Sequence, residues 1–213
     1  MLGLLVCLAT AANATEAPLP DAVFSLPLGS GDLRRLTAAA TEPLAKARVV
    51  RGQFIQRRYL RELPKPLESR GDFLYARGIG IVWHTLTPFD SRLAVTPTGI
   101  RQDNRGDSAR LDVAEQPALR VLGRMFVGLF ALDFEALARD FNTFGMSESD
   151  RWRVGLRPRR AALARVFNDA VLVGARSIEM VMLHDAAGDR TDIQLQNLRY
   201  DADQLTPAEQ SQF

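Results

Sequence analysis

VVRGQFIQRRYLRELPKPLESRGDFLYARGIGIVWHTLTPFDSRLAVT, residues 49–96, decides the fold. It divides into four short runs, 49–60, 67–76, 79–86 and 92–96, each rich in β-branched and aromatic residues. Pro, Gly, Asp or Ser separates each run from the next, the punctuation of an antiparallel meander. Side chains alternate across a strand, so Phe73, Tyr75 and Arg77 share one face. If the pleat runs on into the next strand, Ile79, Ile81 and Trp83 form a comparable row, which Leu93 and Val95 extend. Gly78-Ile79-Gly80 is a strand junction, too short for a nucleotide-binding loop.

Upstream, residues 32–47 read as one helix with Asp32 as N-cap and Leu33, Leu36, Ala40, Leu44 and Ala47 on one side. Residues 15–31, rich in Pro and Gly, read as a leader. Residues 1–14 read as a secretory signal: an apolar run through Leu8 is followed by Ala12-Asn13-Ala14, and the stretch is too short to span a membrane. No Lys or Arg precedes that run, which places the signal's start further upstream or leaves its charge to the amino terminus. The expected location is the periplasm. The one cysteine, Cys7, lies inside the signal, so the exported chain has no disulfide, thiolate chemistry or cysteine metal site.

Downstream, residues 117–130 carry Leu119, Leu122, Phe126, Leu129 and Phe130 at helical spacing, with Gly123 and Gly128 inside the run. The helix is expected to break near Ala131-Leu132 and a second to run over residues 133–141. Strand character returns at 151–157, 176–184 and 191–198, adding Ile178, Met180, Met182, Ile193 and Leu195 to the apolar face. The expected fold class is mainly β with helices (α+β): one antiparallel sheet with helices gathered on one side.

The chemistry-bearing residues are sparse. The chain has 213 residues, 46% hydrophobic and 24% charged, the composition of a globular protein with a core. Its 27 basic residues barely exceed 25 acidic ones, which argues against a nucleic-acid binder. His84 and His184 stand far apart with no ligand partner at metal-site spacing, and no nucleophile elbow occurs. The reading is therefore a non-enzyme with no catalytic residue, metal or other cofactor. Arg151, Arg153, Arg157, Arg159 and Arg160 form a basic run that reads first as a solvated face and second as a contact for acidic lipid head groups.

Periodicity alone makes the apolar face a closed core. Arg77 turns the reading, because a guanidinium on such a face needs water or carbonyl partners unless its head reaches solvent at an edge. The aromatic and Met-rich lining also suits an exchangeable apolar ligand.

Phe54-x-Gln56, Gly71-Asp72-Phe73, Arg77, Trp83, Pro88 and Ser91, in this order and spacing, resemble the first strands of the LolA family of periplasmic lipoprotein carriers. The resemblance implies an incomplete antiparallel β-barrel over residues 32–213, with an apolar concavity under a helical lid that takes acyl chains of lipidated cargo. It implies ligand contacts from Phe73, Tyr75, Arg77, Ile81, Trp83, Leu93, Val95, Phe126, Phe130, Ile178, Met180 and Met182. Arg77 would hold the lid closed, and residues 117–130 would belong to that lid. It also implies an inner-membrane release complex and an outer-membrane acceptor as partners of a monomeric carrier. This chain departs from the family pattern at Thr98-Gly99-Ile100-Arg101-Gln102, where an aromatic strand is usual, and in its short tail. Those departures leave open a glycolipid or lipid-linked pigment as cargo, or a lipid-sensing regulatory module.

Overall fold

The structure is a computed structural model that describes residues 20–97, 99–104, 107–112 and 127–213. The signal-like residues 1–14, with Cys7, and Gly123 and Phe126 lie outside these residues. Two helices, α1 (Ser30–Leu36) and α2 (Ala38–Lys46), precede six strands. These are β1 (Val49–Tyr59), β2 (Leu67–Ala76), β3 (Gly80–Thr87), β4 (Ser91–Val95), β5 (Gly99–Asn104) and β6 (Asp107–Asp112). A helical segment at 127–131 and α3 (Phe134–Asp140) lead into β7 (Phe141–Glu148) and β8 (Arg151–Pro158). The short α4 (Ala161–Ala164), then β9 (Phe167–Gly174), β10 (Ile178–Asp185), β11 (Arg190–Asp201) and α5 (Pro207–Gln210) complete the chain.

All eleven strands form one antiparallel sheet in the order β6-β5-β4-β3-β2-β1-β11-β10-β9-β8-β7. Every strand pairs with its neighbour in sequence except at the centre, where β1 meets β11, and at the two ends, β6 and β7, where the barrel stays open. The expected incomplete antiparallel barrel is the architecture observed, with α1, α2 and α3 on its concave face and shorter helical segments on the outer one.

Two glycines explain the spacing around Phe54 and Phe73. Register pairs Gly52 with Phe73 and Phe54 with Gly71, so each ring lies over a glycine on the neighbouring strand. A Cβ at Gly52 would meet the Phe73 ring, and one at Gly71 would meet the Phe54 ring and the His84 carbonyl. Only glycine allows both rings to lie flat on the sheet.

Several sequence expectations are corrected. The helix expected over 32–47 is two helices: Thr37 turns its hydroxyl back onto the Leu33 carbonyl at 2.8 Å, and the chain bends there. Gly29, not Asp32, is the N-cap, and Asp32 sits in the first turn. Residues 20–28, read as leader, are packed. The 3₁₀ helix Pro20–Ser25 buries Val23 and Phe24 against Val171, Val173 and Met182 on the outer face. Leu28 then donates to the Thr143 carbonyl and Gly145 to that of Leu26, so the segment covers the free edge of β7 before α1 enters the concave side.

The row Ile178, Met180, Met182 is also corrected. Ile178 pairs with Gly174 but Met180 pairs with Val173, so one residue bulges out between them. A one-residue slip exchanges faces. Ile178 stays in the main core, Val181 takes the next inward position, and Met180 and Met182 point to the outer cluster around Val23 and Phe24. Ile79 lies in the β2–β3 turn, exposed, between glycines at positive φ.

The outer face at the other half of the sheet is covered by the C-terminal segment, where Leu205 and Phe213 pack on Val49, Leu74, Ala76, Val82 and Ala94. Arg51 ties this segment down, giving two hydrogen bonds of 2.8 Å to Glu209 and one of 2.6 Å to Asp201. Thr206 and Glu209 close a capping box on α5. The Arg51 hydrogen bonds are the chief reason that the Glu209 carboxyl is held down from 4.5 to about 2. A depressed carboxylate stabilises the fold above its unfolded pKa and loses that contribution as pH falls through the folded value. Glu209→Gln should therefore cost about 1–2 kcal/mol near neutral pH, less than the full shift implies because the pair is only part-buried and solvent still screens it. In pH-dependent chemical denaturation, the gap between wild type and variant should close between about pH 4.5 and about 2. A gap that does not change with pH would deny the ion pair this role.

Candidate functional site in the concave face

The main core lies on the concave side of the sheet. Val50, Phe54, Phe73, Tyr75, Ile81, Trp83 and Val95 line one half, and Trp152, Val154, Leu156, Leu172, Ile178 and Val181 line the other. Leu33, Ala40 and Leu44 of α1 and α2, Leu129 and Phe130 of the 127–131 segment, and Phe134 and Leu137 of α3 pack onto them. The inner surface is thus lined by strands and filled by helices.

Its centre is aromatic. Phe54 stacks on Trp83 with ring centres 3.8 Å apart, and Phe73 lies 5.8 Å from Trp83 in a nearly parallel plane. Phe130 descends from the helical segment to 4.9 Å from Phe73 and 5.9 Å from Trp83. A helical side chain therefore occupies the most aromatic part of the sheet. Leu132, just beyond it, has φ of 49°, a left-handed conformation unusual for a leucine. Asp133 then caps α3, accepting from the Ala136 amide at 3.0 Å. The expected break near Ala131-Leu132 is there, and α3 lies within a residue of its expected bounds.

Polar contacts join the helices to one another and to the sheet. Arg34 of α1 pairs with Glu135 of α3 at 3.0 Å, with both side chains exposed. Arg77, one residue past β2, donates to the Leu44 and Ala45 carbonyls. These belong to the last turn of α2, whose carbonyls lack helical partners and whose dipole favours a cation. Arg77 thus meets a helix, α2, while residues 117–126 of the stretch expected to form the lid lie outside the described residues. A cavity of about 400 Å³ opens here, between Thr41 and Leu44 of α2, Tyr75, Arg77 and residues 131–133. Burial raises the Tyr75 pKa, so its hydroxyl stays protonated at this cavity.

Of the other sequence-derived site residues, Phe73, Tyr75, Ile81, Trp83, Val95, Phe130 and Ile178 gather in the concave core, with Leu93 packed against it. Phe54, Trp152, Leu172 and Val181 belong to the same surface and were not among the expected contacts. Phe54 and Trp152 stood in recognised strands and could have been found by alternation. Leu172 could not, because both faces of β9 are buried and its Ala170-Val171-Leu172-Val173 run has no period to read.

The histidines lie on the outer face. His184 places Nδ1 2.6 Å from Asp169, and His84 stands 3.6 Å from Asp72 and 3.4 Å from Asp90. Among the described residues no group of three His, Cys, Asp or Glu side chains could hold a metal ion. The basic run is dispersed: Arg151 pairs with Glu179, Arg153 with Glu148 and Arg160 with Asp140. Arg157 lies 4.0 Å over the Phe24 ring, and Arg159 donates to Asn142.

No family model and no curated protein sequence matches the chain. Among solved structures it is similar to a LolA superfamily protein from Nitrosomonas europaea, with a TM-score of 0.47 and 10% identity over 83% of this chain and 96% of that one. It is also similar to a DUF1329 family protein from Desulfovibrio piger, with a TM-score of 0.45 and 10% identity over 84% and 95%. LprF from Mycobacterium bovis is a third, with a TM-score of 0.36 and 11% identity over 85% and 98%.

Proposed function

We propose that this protein is an exported carrier whose helices give way to the acyl chains of a lipidated cargo, which then lie on the concave face. The observation that carries the reading is the placement of Phe130. It sits on the Phe54–Phe73–Trp83 cluster from a segment outside the sheet, where an apolar ligand could replace it without breaking a strand pairing. The site binds rather than reacts. Its polar groups at the cavity are a tyrosine, a threonine, two arginines and an aspartate, with no nucleophile–base pair among them. The test is a fluorescent fatty-acid probe, which should bind and be displaced by a diacylated lipopeptide but not by the same peptide without acyl chains. A probe that fails to bind, or is displaced equally by both peptides, overturns the reading.

On this reading the periplasm is the working compartment and residues 1–14 are removed. Intact-mass analysis of the periplasmic fraction should give a chain beginning at Thr15. Full-length protein confined to the cytoplasm would contradict it.

Arg77 acts in the carrier as a latch on the closed state. Its two hydrogen bonds to α2 together contribute on the order of 1–3 kcal/mol after solvent screening. Arg77→Leu should shift the population towards the open, cargo-bearing form and slow probe release by about tenfold. Arg77→Lys should act in the same direction, since an ammonium lacks the planar fork that spans two carbonyls. A lower melting temperature with unchanged release would leave Arg77 as a cap on α2 and nothing more.

A further inference from the structure

Of the seven large apolar side chains that the described residues leave exposed, five gather at one end of the sheet. Leu63 and Leu67 stand in and beside the β1–β2 turn, Leu86 and Phe89 in and beside the β3–β4 turn, and Val166 after α4. Register brings these turns to one end: Arg58 pairs with Leu67, Arg70 with Thr87 and Tyr59 with Arg190. Hydrogen bonds join them further, from Arg61 to the Gly188 carbonyl and from the Ala186 amide to that of Val166. Ile79 marks the opposite end, and Leu26 the β7 edge.

Exposure at this end is large where it counts, 65% for Phe89 and 54% for Leu67. Apolar turn tips of this kind on a soluble fold mark a contact surface. Two of the flanking segments are basic, while Asp90 beside Phe89 and Asp185 and Asp189 of the β10–β11 turn bring acids to the same end. Residues 57–70 carry Arg57, Arg58, Arg61, Lys65 and Arg70 against Glu62 and Glu68, and residues 157–166 carry four arginines and no acid. Several of these cations are already committed, Arg57 and Arg70 to Glu68, Arg58 to Asp189 and Arg160 to Asp140. Among the described residues Arg61, Lys65, Arg159 and Arg165 make no ion pair; Arg61 donates to the Gly188 carbonyl and Arg159 to Asn142 and the Ala138 carbonyl, which leaves Lys65 and Arg165 available.

We propose that this end of the sheet docks on a bilayer carrying anionic phospholipid. The tips of Leu63, Leu67, Leu86 and Phe89 enter the boundary between head groups and acyl chains, while Lys65 and Arg165 meet the phosphates. Apolar burial and attraction to anionic lipid together give the reversible binding of a surface-associated protein. A protein partner would also accept apolar tips, but the unpaired cations on a chain of nearly balanced charge favour an anionic surface.

The experiment is flotation of the full chain with phosphatidylcholine vesicles, with and without phosphatidylglycerol. The chain should float with the anionic vesicles only, and raising the salt should weaken binding by about tenfold as the charges are screened. Leu63→Ser with Phe89→Ser should lower binding by about tenfold or more with little change in melting temperature, because both residues are exposed. Lys65→Glu with Arg165→Glu should remove the dependence on phosphatidylglycerol, and Ile79→Ser at the far end should leave binding unchanged. No flotation with either vesicle, or flotation indifferent to the Leu63 and Phe89 changes, overturns the proposal. So does a pair of variants that keeps vesicle binding but loses cargo transfer to a protein acceptor, which would assign the surface to a protein.

Discussion

Trp83→Ala is expected to lower the unfolding free energy by about 3–5 kcal/mol, the usual cost of emptying a buried large-aromatic site. Trp83 is the residue that the other aromatics share: Phe54 stacks on it, Phe73 lies beside it and Phe130 reaches it from the helical segment. Each such pair contributes about 0.5–1.5 kcal/mol beyond the area it buries. Phe130→Ala should cost less, because a side chain on the covering segment leaves a cavity into which its neighbours can move. A double-mutant cycle of Trp83 and Phe130 should then show coupling of about 0.5–1.5 kcal/mol. The two changes should also part in function: Phe130→Ala frees the aromatic surface and tightens probe binding, whereas Trp83→Ala removes the surface and weakens it. Denaturant titration and probe titration on the three variants check this. Additive stability losses, with probe affinity unmoved by either change, would make the cluster an ordinary core.

The first four strands were legible because sharp punctuation separates them and an alternating aromatic row marks their concave face. The Gly52–Phe73 and Phe54–Gly71 pairs give the physical reason for the spacing of these residues in the sequence. Elsewhere the same rules lost their signal for identifiable reasons. β9 is buried on both faces, so it reads as a featureless apolar run. β7 follows α3 without a loop, and Gly145 interrupts its alternation because a Cβ there would meet Leu28, Leu33 and Leu36. β5 is polar and only half-buried, so a period of two leaves no apolar mark on it. Alternation cannot reveal a bulge, and the one before Met180 places both methionines off the concave face. The site was legible to the same degree: Phe73, Tyr75 and Trp83 came from period alone, but the identity of Arg77's partner depends on how α2 ends. That in turn rests on the bend at Thr37, which no single residue announces.

The second large effect expected is a steep dependence of affinity on acyl length. Each methylene taken from water contributes about 0.8 kcal/mol, so shortening a saturated chain by four carbons should cost about 3 kcal/mol, on the order of a hundredfold in affinity. Competition by a series of fatty acids against one fluorescent probe reads this directly. The slope should flatten once the chain exceeds the length that the helices can cover. Equal affinity along the whole series would mean that the concave face stays closed and the probe sits elsewhere.

Whether acyl chains lie between the helices and the concave face is read out by photo-crosslinking with a long-chain fatty acid carrying a diazirine near its methyl end. After digestion, mass spectrometry locates the attachment. Labels are expected on peptides carrying Phe54, Phe73, Trp83 or Phe130, all suppressed by excess lipopeptide. Labels confined to the outer face, on peptides carrying Val23, Phe24, Met180 or Met182, would contradict that placement.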